Sequence, residues 1–185
     1  RIVVIASPNN PTGNMISRED LGKFLDVCRG AIVMIDEAYW GFGSTDNSYI
    51  KPYIDEFPNL IICRTFSKYF ALAGARVGFS FAGNNLEELK GYTTRYLGYN
   101  LISENLALIA LDDMEYYEKV TALMQEDKEY FYSEFASIPG FTPYKSFSNF
   151  MLVDMPKDIR KGLDKYLKER NMQIKFLKII KGKIK

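Results

Sequence analysis

A lysine at position 68 lies in the run Thr65-Phe66-Ser67-Lys68-Tyr69-Phe70-Ala71-Leu72-Ala73-Gly74-Ala75-Arg76-Val77-Gly78, among hydroxyls and apolar side chains. An ammonium group desolvated in such surroundings has its charged form disfavoured, which is the usual route to a nucleophilic amine. Further along, Arg76 offers a planar fork of donors suited to a phosphate, and Thr65 and Ser67 add hydroxyl donors. Together they suit a phosphorylated aldehyde. A lone lysine is most often a solvated surface charge, but that reading leaves Ser-Lys followed by Leu-Ala-Gly-x-Arg-x-Gly unexplained.

Two further segments carry side chains able to act with it. In Ile35-Asp36-Glu37-Ala38-Tyr39 an apolar run delivers a carboxylate at its end and a phenol three residues later. In an open α/β sheet the crevice beyond the carboxyl ends of the strands is the usual binding position, although an acid there also serves as an ordinary helix cap. Glu37 reads as orienting or structural. In Ser7-Pro8-Asn9-Asn10-Pro11-Thr12-Gly13 two prolines restrict the backbone and Gly13 permits a conformation other residues avoid, so Asn10 is held in one place. An isolated Asn-Pro-Thr-Gly is equally a tight connection built from turn residues.

Short apolar runs alternating with amphipathic ones must position these groups, a pattern that predicts βαβ units and a mainly parallel sheet with helices on its faces. Residues 1–6, 31–35, 60–63 and 77–81 are strand candidates. Ser17 with Asp20 forms an approximate capping box for a helix through about Cys28, ended by Gly30, and a second helix fits between residues 48 and 57. From Asn84 a long helical tract runs to Phe135, and Pro139-Gly140 breaks it. Residues 150–153, 159–167 and 172–176 then suggest a strand, a helix and a strand. The expected division is 1–83, part of a large α/β domain; 84–138, connecting helices; and 139–185, a small α+β domain.

Composition excludes several classes. Of 185 residues, 47% are hydrophobic and 15% aromatic, enough for a substantial core. With 24 basic and 23 acidic side chains the net charge is +1, which gives no footprint for nucleic acid. The absence of histidine removes imidazole bases, Ser/His/Asp triads and histidine metal ligands, and no metal site is expected. Proton transfer must use Lys, Tyr, carboxylates or a cofactor. Cys28 and Cys63 read as reduced core thiols, which places the chain in the cytoplasm. No apolar window is long enough to cross a bilayer.

The three segments, in this order and at these separations, resemble the fold-type I pyridoxal-phosphate (PLP) aminotransferases, in particular the histidinol-phosphate aminotransferase-like group. The resemblance implies the aspartate aminotransferase-like α/β fold and pyridoxal 5'-phosphate as cofactor. By it, Lys68 holds the cofactor as a Schiff base and then acts as the base, Asp36 pairs with the pyridinium nitrogen, and Asn10 and Tyr39 bond the phenolic oxygen. Thr65, Ser67 and Arg76 hold the phosphate. It further implies an amino acid or amino-alcohol phosphate and a 2-oxo acid as substrates, and a homodimer when the chain is complete.

The resemblance thins in places. The family's upstream phosphate loop and ring-stacking aromatic are missing, as is its arginine near the C-terminus, so the chain is expected to be a fragment. Asn149 matches a substrate-proximal Asn-Phe segment, and is as readily a turn cap. Lys175 stands where the histidinol-phosphate enzymes usually have arginine, which weakens that substrate assignment, since a lysine is a point charge and not a fork. Tyr99-Asn100 resembles a segment near the domain junction, while Tyr92 and Tyr96 recur at helical spacing. Alternatives on the same scaffold are decarboxylation of a phosphorylated amino acid, or a catalytically silent fragment.

Overall fold

A computed structural model describes residues 1–89, 91, 100–177, 179–180 and 183–184. Strands β1 (Ile2–Ala6), β2 (Ile32–Asp36), β3 (Leu60–Thr65) and β4 (Gly78–Ala82) form one sheet in the order β1-β2-β3-β4. The pairings β1 to β2 and β2 to β3 are parallel, and β3 to β4 is antiparallel. The last link reverses because residues 66–77 form a turn and one short 3-10 helix, Ala73–Ala75, whereas a parallel return needs a longer crossover that usually carries an α-helix.

Helices α1 (Arg18–Val27) and α2 (Ile50–Glu56) connect the parallel strands. The capping box forms as expected: Asp20 N donates to Ser17 Oγ at 3.1 Å, and Ser17 Oγ to Asp20 Oδ2 at 2.7 Å. α1 places Leu21 and Leu25 against Val33 and Ile35 of β2 and Leu60 and Ile62 of β3, with Tyr49, Ile50 and Phe57 closing the layer. Each such aliphatic side chain, fully buried, contributes roughly 1.5–3 kcal/mol. A second cluster joins Trp40, Phe42, Phe66, Tyr69 and Phe70 to Ala107 and Ala110.

The tract after Gly83 is divided where one long helical stretch was expected. It opens with a 3-10 stretch, Asn84–Leu89, that is kinked at Leu86, and continues as α3 (Leu101–Asp112) and α4 (Met114–Ser137). Asn100 caps α3, its side chain accepting from Ile102 N and Ser103 N, a local role that explains an Asn at that position. Tyr92, Tyr96 and Tyr99 lie outside the described residues. α4 ends just before Pro139, and Gly140 takes a φ of +83°.

Beyond it lie β5 (Thr142–Pro143), β6 (Val153–Asp154), α5 (Arg160–Lys168), β7 (Ile179–Ile180) and β8 (Lys183–Ile184). The strand expected over residues 150–153 is reduced to the β5–β6 pairing, because residues 146–150 bend back against the first turn of the chain. Residues 172–176 are not a strand. Met172 and Ile174 are exposed there, and an apolar alternation becomes a strand only where a neighbouring strand pairs with its backbone groups, which here face solvent.

Candidate active site

β1, β2 and β3 end at one edge of the sheet and β4 begins there: Ala6 pairs with Asp36, Asp36 with Cys63, and Thr65 with Gly78. The segments carrying Asn10, Asp36, Tyr39, Thr65, Ser67, Lys68 and Arg76 all leave or enter the sheet at this edge.

After β1 the chain folds on itself. Gly13 N donates to Asn9 O at 2.7 Å, Asn9 N to Asn14 O at 2.9 Å, and Asn9 Nδ2 to Thr12 Oγ1 at 2.7 Å. The Ser7-Pro8 and Asn10-Pro11 peptides are cis. Gly13, at φ +73°, leaves no room for a Cβ beside Ser146. Asn10 is thereby presented to Tyr39, and its Nδ2 donates to the Tyr39 hydroxyl at 2.7 Å.

Asp36 is partly buried, and its Oδ1 accepts Ala38 N at 2.9 Å in the turn that carries Tyr39. Burial, followed by the negative charge of Asp36, raises the pKa of the Cys63 thiol on the neighbouring strand. Both cysteines are free. Lys68 Nζ lies 5.7 Å from the centroid of the Tyr39 ring. Lys68 is exposed, contrary to the expected desolvated amine: the apolar neighbours Phe66, Tyr69 and Phe70 turn into the second core cluster and leave the lysine facing outward.

Arg76 adopts φ 54°, ψ 42°, a left-handed conformation uncommon for a residue with a Cβ, and such strain concentrates at functional sites. Its Nη1 donates to Ala73 O at 3.1 Å and reaches Ser67 Oγ at 3.4 Å, while Ser67 N donates to Thr65 Oγ1 at 3.0 Å. Guanidinium, hydroxyl and hydroxyl thus line one loop. Among the described residues no cluster of carboxylates or thiols could hold a metal ion.

A model of the family "Aminotransferase class I and II" matches residues 1–175. The chain belongs to this family. It is 34% identical over 165 residues to a histidinol-phosphate aminotransferase of Ruminiclostridium cellulolyticum, covering 88% of this chain and 45% of that protein. It is 40% identical over 154 residues to one of Thermoanaerobacter pseudethanolicus, covering 83% and 42%. The chain therefore spans about half the length of the curated relatives it matches. The crystal structure of the Sinorhizobium meliloti histidinol-phosphate aminotransferase in complex with pyridoxal-5'-phosphate superposes with a TM-score of 0.79 at 26% identity, over 95% of this chain and 48% of that one.

The chain brings further residues to the edge that the sequence did not single out. Phe150 meets the Tyr39 ring edge-on at 5.1 Å, Phe147 N donates to Gly13 O at 2.7 Å, and Lys128 Nζ on α4 donates to Phe42 O at 2.8 Å and Ser146 O at 3.3 Å. Burial lowers the Lys128 pKa. Asn149 is exposed within this segment, beside Phe150. Lys175 is exposed on the irregular stretch after α5, and no described contact ties it to the sheet edge. Arg64, buried beside Thr65, had left one signal: a charge inside an apolar run demands a partner.

Proposed function

We propose that the chain is the lysine-bearing part of a PLP-dependent aminotransferase moving an amino group between an amino acid or amino-alcohol phosphate, of histidinol-phosphate type, and a 2-oxo acid. One observation carries this reading: an amine (Lys68), a carboxylate (Asp36) and an amide-phenol pair (Asn10 and Tyr39) share one strand-end edge with the guanidinium and hydroxyls of Arg76, Ser67 and Thr65. The donor set fits pyridoxal phosphate: a cationic fork with hydroxyls for the phosphate, an acid for the ring nitrogen, and a paired Asn and Tyr for the phenolic oxygen. When bound, that cofactor supplies an electron sink for charge developing at the substrate Cα.

Lys68 Nζ would be the point of covalent attachment and, once released by the incoming amine, the base that takes the Cα proton. Its outward position leaves it accessible to both partners. Asp36 would keep the ring nitrogen protonated, and Asn10 would hold the Tyr39 hydroxyl in place. Asn149 is assigned a place near the substrate through its neighbour Phe150 on Tyr39. Lys175 is assigned to substrate binding as well, as a point charge in place of a guanidinium fork. We further assign residues 1–83 to the large domain, 84–138 to connecting helices and 139–185 to the small domain, and the full-length protein to a homodimer working in amino-acid biosynthesis in the cytoplasm.

A decarboxylase from Sulfurospirillum multivorans, at 26% identity and a TM-score of 0.70, keeps a second reaction on the same scaffold in view. The test uses the full-length protein. Added pyridoxal phosphate should give a visible absorption band that Lys68→Ala abolishes, and turnover should yield a keto product without carbon dioxide. A band that survives Lys68→Ala removes the assignment, and release of carbon dioxide selects the decarboxylase.

A further inference from the structure

Where the backbone ladder between β2 and β3 ends, two charged side chains take over. The last paired positions are Asp36 and Cys63, followed by one bond from Glu37 N to Cys63 O at 2.9 Å. One residue further along each strand stand Glu37 and Arg64, only 5% and 6% exposed. Arg64 Nε and Nη2 both donate to Glu37 Oε2, at 2.9 and 2.8 Å, and the Tyr49 hydroxyl donates to Glu37 Oε1. Arg64 Nη1 donates to Asn47 Oδ1 at 2.8 Å. The same guanidinium lies 3.9 Å from the centroid of the Trp40 ring, and Trp40 packs on Tyr69 and Phe70 at 5.6 and 6.3 Å. One side chain is thus bonded to the residue after Asp36 and stacked on the ring that contacts the two residues after Lys68.

Stability alone is a weak reason for this arrangement, because desolvating two charges offsets most of their attraction and apolar replacements often serve as well. Its geometric effect is specific: the fork spans the two strands at the point where the acid and the amine diverge. We propose that Arg64 and Glu37 are positioning residues that set Asp36 and Lys68 relative to one another for the bound cofactor. This rests on the assignment of Lys68 and Asp36 made above. Neither residue acts on the cofactor itself; both act through the Asp36–Glu37 backbone and through Trp40.

The test compares Arg64→Lys, which keeps the charge but loses the fork, with Tyr49→Phe, which removes the hydroxyl that donates to Glu37 Oε1 and accepts from Arg64 Nη2 at 3.1 Å. In the full-length protein, pyridoxal phosphate is titrated into each variant, and Kd and the pH midpoint of the visible band are read beside the thermal midpoint. A misplacement on the order of 1 Å can cost roughly hundredfold in rate. Folded Arg64→Lys is expected to bind the cofactor about tenfold more weakly and to shift the pH midpoint, with Tyr49→Phe moving both in the same sense by less. If both variants keep the parent Kd and pH midpoint while only their thermal midpoints fall, the pair serves stability alone and the inference is overturned. Should Arg64→Lys fail to fold, Tyr49→Phe decides. A parent band insensitive to Lys68→Ala would overturn the functional assignment as well, whereas a normal parent with unchanged variants overturns only this inference.

Discussion

Burial, and after it the neighbouring Glu37 carboxylate, raises the pKa of the Tyr49 phenol well above its ordinary value of 10.0, against the opposing pull of Arg64 and Arg18. The Arg18 guanidinium sits 3.2 Å from the centroid of that ring. A phenol that keeps its proton longer in the folded than in the unfolded chain contributes stability that is complete below pH 10.0. That contribution is lost as the pH climbs further, because the unfolded chain releases its proton first. Urea midpoints should therefore fall above that pH, and fall less steeply in Tyr49→Phe. Equal slopes in the two proteins would move the alkaline loss to Tyr69 and Tyr117, whose pKa values burial also raises. At this scale the sequence named Lys68, Asp36, Asn10, Tyr39 and Arg76 because their types and spacing are chemically unusual. It passed over Arg64 because a single arginine in a strand acquires meaning only from the Glu37 it meets across the sheet.

The turn after β1 joins the site to the last third of the chain. Gly13 accepts Phe147 N at its carbonyl and lies against Ser146 at a φ of +73°. Alanine at this position is both strained in the left-handed region, by about 1–3 kcal/mol, and in collision with Ser146. Gly13→Ala should lower the urea midpoint and, by pushing residues 146–150 outward, separate Phe150 from Tyr39, which loss of cross-peaks between the two rings in an NMR spectrum would record. A variant of parent stability with the ring contact intact would contradict this account. Elements with strong local signals matched their expected places: the Ser17-capped helix, the apolar strands β1 to β4, and the stop at Pro139-Gly140. Residues 150–153 and 172–176 did not, since a short apolar run becomes a strand only when a partner edge is available.

At the scale of the molecule, several large apolar side chains among the described residues stay exposed, β1 and α3 among their positions. Ile2 and Val4 on the edge strand β1 are 69% and 61% exposed, and Ile102 and Ile109 on α3 are 71% and 64% exposed. Exposed apolar surface binds hydrophobic dyes and promotes association. The purified chain should accordingly enhance the fluorescence of such a dye, and Ile102→Lys with Ile109→Lys should reduce that signal without lowering the thermal midpoint. Unchanged fluorescence in the double variant would show that the α3 face does not bind the dye.

From composition, periodicity and three short motifs, the residue order alone determined that strands would alternate with helices and which side chains would gather at the strand ends, because these depend on local propensity and on the direction of parallel strands. Tertiary structure alone decided that Lys68 faces outward, that residues 146–150 return to the first turn, and that Arg64 and Glu37 meet in the interior. Burial and long-range pairing arise from how distant segments pack, and no local window of sequence contains that information.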